Sequence, residues 1–154
     1  MQSGKAAIVG GLIAGLVTTA VMVAGRKSGL LGKTLDRDSV DWIDRQTGSR
    51  QVIGDSGTSL VEFANHLGAS AAFGYGYSHL RRAAPDAPAT LLGAGYGTAL
   101  YLVNIAGIAP LLGITEGERR AGARKAAERW GLHVLQTIVT ALVTDRLASR
   151  SKGA

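Results

Sequence analysis

Two long stretches of the chain contain no charged residue, and they limit the possible folds more than any other feature. One lies between Lys5 and Arg26 and the other between Asp86 and Glu116, with 20 and 29 uncharged residues respectively. A soluble helix of either length would need burial on every side, which a chain of 154 residues can hardly supply. At about 1.5 Å per residue, residues 6–25 would extend roughly 30 Å, the thickness of a bilayer core. The pattern therefore predicts membrane-spanning helices.

The whole chain fits a single all-α domain that is a polytopic membrane protein. We expect four transmembrane helices, arranged as two antiparallel hairpins, at residues 6–25, 60–80, 89–112 and 130–147. The short connection at residues 83–88 contains two prolines, which favours an antiparallel arrangement of the second and third helices. The fourth helix is the weakest span, because only 15 uncharged residues separate Arg129 from Asp145. Arg129 and Arg146 would extend to opposite interfaces to complete it.

The distribution of basic residues predicts the orientation. The longer loops, residues 26–59 and 113–129, hold six and five Lys or Arg residues, whereas the opposite side holds six in total. The positive-inside rule then places both loops in the cytoplasm and both termini in the periplasm. The net charge of +6 raises the question of nucleic acid, but the basic residues mostly flank the apolar runs. We therefore expect the lipid bilayer and other membrane proteins, or a second copy of the chain, as partners, and no nucleic acid.

The first loop is expected to contain a short interfacial helix at residues 40–46, capped by Asp38 or Ser39 and ended by Gly48. Its aspartates predict a solvated acidic face, since their spacing lacks the glycine and terminal glutamate of a calcium loop. In the second loop, Thr115 and Glu118 fit a capping box. Four residues are expected at the membrane interface. They are Trp42, Arg81, Arg82 and Trp130.

Glycines four residues apart predict close helix packing. Gly11 and Gly15 form one such pair in the first span, and Gly93 and Gly97 form another in the third. Without a side chain, these positions permit the backbone of a neighbouring helix to approach. The alternative is that small residues recur by chance in segments rich in alanine and glycine.

Polar residues within the predicted spans form a candidate site. The second and fourth spans enter from the same face and the third ends there, so their polar residues lie at similar depth. The residues are Glu62, Asn65, His66, Asn104, His133 and Gln136. One interpretation is a hydrogen-bonded layer between helices. A second is a proton or ion pathway, because intramembrane Glu and His often relay protons. A third is a metal or haem site using His66, His133 and Glu62, although no spacing specifies one.

Four segments of the chain resemble the YagU-type family of bacterial inner-membrane proteins. They are GGLIAGLVTTAV, NHLGASAAFGYGY, PLLGIT and AERWGLHVLQTIV. On this chain the family pattern falls on His66, residues 110–115, Glu128 and His133, the last with one residue of offset. The tryptophan-rich turn of the family is replaced here by a basic run. The resemblance implies the bacterial inner membrane and a loose link to acid tolerance, and it implies no established chemistry.

These features predict a small membrane protein without catalytic activity. The sequence has no Ser/His/Asp arrangement, P-loop or dinucleotide fingerprint, and the absence of cysteine excludes thiolate catalysis and iron–sulfur clusters. We expect an accessory or assembly subunit that packs against other membrane proteins, with no cofactor. A small transporter or proton-handling protein is the alternative, and a haem- or metal-binding bundle is the weaker one.

Overall fold

The structure is a computed structural model that describes residues 3–150. As predicted, the described part is all-α, with no strand between residues 3 and 150. We number its helices in chain order and call the single π-helix π1. They are α1 (Ser3–Lys27), α2 (Leu35–Thr47), α3 (Ser49–Ala83), α4 (Ala89–Leu100), π1 (Tyr101–Ile108), α5 (Ala109–Leu111), α6 (Glu118–Ala121) and α7 (Ala123–Arg150).

Four helical segments form an antiparallel bundle in which α1 and α7 are central. The main contacts join α1 with α3, α1 with α7, and α4 with α7. The helices α4, π1 and α5 follow one another without a break and make a single rod that covers the predicted third span. Consecutive helices α3 and α4 touch only sparsely, where the Tyr96 hydroxyl donates to the carbonyl of Phe73 (3.1 Å). The extensive antiparallel pairs are thus α1 with α3, α1 with α7 and α4 with α7.

The first loop is more helical than predicted. Helix α2 starts at Leu35, five residues before the predicted start, because Thr34 and not Asp38 or Ser39 is its N-cap; the Thr34 hydroxyl accepts from the Arg37 amide. Gly48 ends α2 in the left-handed conformation (φ 64°), as predicted. Residues 49–59 were predicted as loop but belong to α3, which is kinked at Gly54. The φ of 68° at this position favours glycine.

The second loop also departs from its prediction. The capping box is wrong, because Gly117 is the N-cap of α6 and the Thr115 hydroxyl is buried without a partner. Gly122, with φ 85°, separates α6 from α7. Helix α7 then begins with the second part of the basic run and continues into the predicted fourth span, as the sequence predicts.

Two helical segments are long and apolar enough to cross a membrane, Gly4–Lys27 and Ala89–Leu111. Larger apolar side chains of the bundle point outward, while small and polar side chains fill its interior. The buried residues include Ala7, Ala14, Thr18, Ser70, Ser78, Gln136, Thr137, Thr140, Ala141 and Thr144. The exposed ones include Val9, Ile13, Leu16, Val21, Leu91, Leu102, Val103 and Leu111. The only fully buried large apolar side chains among the described residues are Tyr77 and Ile105.

Candidate functional site

A cavity of about 250 Å³ lies between α1, α3, π1 and α7, in the half of the bundle next to α2. The loop before α2 and the first turn of α2 cover its end. Five of the six polar residues singled out in the sequence line this cavity: Asn65, His66, Asn104, His133 and Gln136. The sixth, Glu62, is not among its lining residues.

His66 is buried, and both nitrogens of its ring face oxygen atoms. Nε2 lies 3.0 Å from the carbonyl oxygen of Gly15 and 3.2 Å from the Thr18 hydroxyl. Nδ1 lies 3.0 Å from a carboxylate oxygen of Asp36 at the start of α2. A carbonyl and a carboxylate can only accept, so this geometry fits an imidazolium that donates from both nitrogens. The His66–Asp36 pair therefore joins α3 to the covering loop by a charge-assisted hydrogen bond.

The His133 ring is held in a defined tautomer. Its Nδ1 lies 2.9 Å from the Arg129 carbonyl oxygen, one turn earlier in α7, so Nδ1 carries the proton and donates. Nε2 is then an acceptor in the neutral ring, and none of the hydrogen bonds within residues 3–150 uses it. The ring meets Tyr101 of π1 in an edge-on contact, with centroids 6.4 Å apart. His133 thus presents one acceptor nitrogen at the cavity.

A short hydrogen-bond chain links α7 to α3 beside the cavity. The Gln136 amide donates to the Ser70 hydroxyl (2.9 Å), and this hydroxyl donates to the His66 carbonyl (2.7 Å). Both side chains are buried. The chain satisfies polar groups that would otherwise be buried without partners.

Glu62 lies in an adjoining cleft of about 330 Å³. Its carboxylate is 3.4 Å from Nη1 of Arg37 and accepts from the Thr34 hydroxyl at the same distance. His66 and Asp36 line both spaces and stand between them. The structure thus brings the two histidines to one cavity and pairs Glu62 with α2 and its N-cap instead.

The aspartates of α2 hold the loop face together through ion pairs. Arg129 is buried and pairs with Asp38 (3.2 Å) and with Glu118 (2.8 Å), and its extension to a membrane interface stays a prediction. Lys33 lies 2.8 Å from both Asp38 and Asp41. Hydrogen bonds from Lys33 and Arg50 hold the pKa of Asp41 at about 2, although partial burial opposes them. The same carboxylates raise the pKa of Lys33.

No sequence pattern predicted these partners directly. The aspartates of α2 were expected to be a solvated face, but Asp36 and Asp38 each pair with a buried residue of a distant helix. One signal was available, since Asp36, Asp38 and Asp41 stand close to Lys33 and Arg37 in the sequence. Such mixing of acidic and basic residues favours a network of ion pairs over an acidic surface whose charges repel one another.

A metal or haem finds little support in the donor geometry. The described residues contain no group of three or more His, Asp or Glu side chains that could hold a metal ion. A haem iron bound by His66 would have to displace Asp36 or the oxygens of Gly15 and Thr18. Of the two histidines at the cavity, only His133 has a ring nitrogen, Nε2, that none of the hydrogen bonds within residues 3–150 uses.

The glycine pairs lie where helices meet. A Cβ atom on Gly11 would overlap the Ser70 carbonyl of α3, and one on Gly15 would overlap the Ser70 side chain. Gly93 and Gly97 stand in the same way against residues 133–138 of α7. Two further glycines outside the predicted pairs are equally close to a neighbouring helix, Gly10 to α7 and Gly74 to α1.

The four residues expected at the interface have specific partners or partial burial. Arg81 forms an ion pair with Asp145 of α7 and donates to a carbonyl of the loop after α3. Arg82 is exposed and contacts the His79 ring. The indole of Trp130 is partly exposed and donates to the Thr98 hydroxyl of α4 (3.1 Å), and Trp42 is half-buried on α2.

No protein-family model matches the chain, and no curated protein or solved structure matches it significantly. The resemblance to the YagU-type family therefore stays a prediction.

Proposed function

We propose that the chain is a multi-pass membrane protein with four spans. These are α1, the part of α3 after Gly54, the rod of α4, π1 and α5, and α7. The observation that carries this proposal is that apolar side chains are exposed and polar ones are buried, the reverse of a soluble protein. Leu91 and Leu111 are 68% and 86% exposed, whereas Ser70 and Thr137 are 0% and 1% exposed. A soluble protein would hide these leucines, but a bundle surrounded by lipid packs through small and polar residues.

The excess of basic residues in the two longer loops supports a cytoplasmic location for α2 and α6 and a periplasmic location for both termini. Single cysteines in place of the exposed Ser56 and Ser149 test this arrangement with a membrane-impermeant thiol reagent. In intact cells Ser149→Cys should react and Ser56→Cys should react only after lysis. Reaction of both from the same side would overturn the four-span topology.

We further propose that the protein acts without catalysis, as an accessory subunit of other membrane proteins. The cavity occupies only the half of the bundle next to α2. In the other half Gly11 and Gly74 bring the backbones of α1 and α3 into direct contact, which leaves no space between these helices for a solute. This closure favours a binding protein over a channel. The exposed apolar faces of α1 and the α4 rod are then free to contact partners as well as lipid.

Site-specific crosslinking in native membranes tests the accessory role. A photoreactive amino acid at exposed Leu16 or Leu102 should give a discrete crosslinked band of higher mass, because a bound partner covers a fixed position. The same label at Ser149, outside the apolar faces, is the control. Crosslinks to lipid alone from both apolar faces would overturn the proposal.

A second candidate function is proton handling, favoured by the His66–Asp36 pair and His133 on one cavity. Protein reconstituted in liposomes should then move protons when a pH gradient is applied, and His66→Gln should abolish that flux. Wild-type liposomes that leak no faster than empty ones would exclude this function and leave the accessory role.

A further inference from the structure

The cavity beside His66 combines an apolar wall with a polar end. Apolar side chains from the helices and the covering loop form most of its wall, namely Met22, Leu31, Leu35, Phe73, Ile105 and Leu132. The end next to α2 and α7 is lined by Lys33, Lys125 and Arg129. Such a combination is typical of sites for small amphipathic molecules.

The charged group left unpaired at this end is a donor. Lys125 has no ion-pair or hydrogen-bond partner in the described part of the chain, whereas Arg129 is paired with Asp38 and Glu118. The two acidic residues that line the cavity are already engaged, Asp36 by His66 and Glu128 by Arg124. A ligand that completes this end must therefore offer acceptor oxygens, and an anionic oxygen meets Lys125 best.

The cavity is reached from the side of the bundle. The helices α3 and π1, which form two of its walls, make almost no direct contact within residues 3–150. The hydrogen bond from Tyr96 to Phe73 joins α3 to α4 farther from α2. On this side Asn65 and Ala69 line the cavity and are themselves exposed. In a membrane this seam would face lipid, so an amphiphile can enter from the bilayer without crossing water.

We propose that the cavity binds an anionic single-chain amphiphile, a long-chain fatty acid or its phosphate-bearing counterpart. The carboxylate or phosphate lies at Lys125, and the first part of the chain lies against Phe73 and Ile105. The remaining chain leaves between α3 and π1, because about 250 Å³ is smaller than a site for a whole drug-sized ligand. This inference rests on the membrane location proposed above and not on the accessory role.

Displacement of cis-parinaric acid, a fluorescent fatty acid, from the purified protein in mild detergent tests the ligand class. Parinarate should bind at one saturable site, and oleate should displace it. Oleyl alcohol and acetate should each displace it at least tenfold less well, because one lacks the charge and the other lacks the chain. Equal competition by oleyl alcohol, displacement by acetate or inorganic phosphate alone, or no saturable binding would overturn the proposal.

Two matched pairs of variants test whether the amphiphile binds in this cavity. Lys125→Ala should weaken parinarate binding about tenfold, and Arg120→Ala, which removes an exposed charge of α6 outside the cavity, should not. Ala69→Trp should block the seam and abolish binding, whereas Ala64→Trp, at an exposed position of α3 outside the cavity, should bind normally. Binding by Ala69→Trp at wild-type affinity would overturn the site. The cysteine-labelling experiment at Ser56 and Ser149 detects a wrong membrane assignment separately.

Discussion

The two halves of the bundle are joined mainly by different contacts, although Arg81 and Asp145 form an ion pair in the half away from α2. Away from α2, glycines bring helix backbones together, as Gly11 does with Ser70 and Gly74. Next to α2, ion pairs such as Arg129 with Asp38 join helix to loop around a cavity. The close backbone contact of α1 with α3 leaves no room for a ligand between these two helices, whereas long paired side chains can enclose one. The difference indicates that the half away from α2, which we call the glycine half, fixes the fold. The half next to α2, which we call the ion-paired half, provides the cavity.

The largest effect is expected from a leucine in the glycine half. Gly11→Leu should prevent stable packing of α1 on α3, because even a Cβ atom at this position overlaps the Ser70 carbonyl. Overpacking of this kind costs about 3 kcal/mol or more when backbone must move. Unfolding of the purified protein by SDS in mixed micelles measures the loss.

The matched control is Gly68→Leu in α3, where an added Cβ meets no atom within 4 Å. It should change the free energy of unfolding by less than about 0.5 kcal/mol. If both variants unfold at the same SDS fraction as the wild type, close contact at Gly11 does not stabilise the bundle.

The next effect concerns the ion-paired half. Arg129→Met leaves the carboxylates of Asp38 and Glu118, each only about 15% exposed, without their shared cation. The bundle should lose about 2–4 kcal/mol, less than the upper value for a fully buried pair because Lys33 still reaches Asp38. Arg124→Met, at a largely exposed position, should cost under about 0.5 kcal/mol. A loss for Arg129→Met no greater than that control would contradict the role of the network.

The same contrast explains what the sequence could predict. Helix type, the four glycine contacts and the similar depth of His66, Gln136 and Asn104 follow from spacing, because an α-helix repeats every 3.6 residues. Local rules did not suffice for the loops. The prediction of residues 49–59 as loop was wrong because the chain continues as helix on both sides of a kink at Gly54. The capping box was wrong because Gly117 and Gly122 set the limits of α6 through their backbone angles.

The partners of the site could not be predicted for a different reason. Asp36 and Asp38 reach His66 and Arg129 only after α2 has folded back over the bundle, and no spacing encodes that contact. Glu62 and His66 are one turn apart, but four residues on a helix correspond to an offset of about 40°. That offset is enough for Arg37 to hold Glu62 in the adjoining cleft.

A smaller difference in the free energy of unfolding is expected between substitutions of His66 and of Glu62. His66→Ala leaves the Asp36 carboxylate and the Gly15 carbonyl without this partner at a buried position, and should cost about 2 kcal/mol. Glu62→Gln keeps an oxygen that can accept from Arg37 and Thr34, so its loss should stay below about 1 kcal/mol. SDS unfolding of both variants gives the order. A larger loss for Glu62→Gln would place the more important contact in the cleft.

The smallest effect is a pH dependence of α2. Bonds from Lys33 and Arg50 hold the folded-state pKa of Asp41 at about 2, below its ordinary value of 3.8. A lowered pKa means that this stabilisation is complete above the ordinary value and is lost as the pH falls from about 4 toward about 2. Hydrogen exchange of α2 amides, corrected for the intrinsic rate, should therefore accelerate over that interval while α4 amides stay protected. Asp41→Asn should show a smaller acceleration, because its amide does not titrate. An identical acid response of wild type and Asp41→Asn would assign the change to the other carboxylates of the loop face.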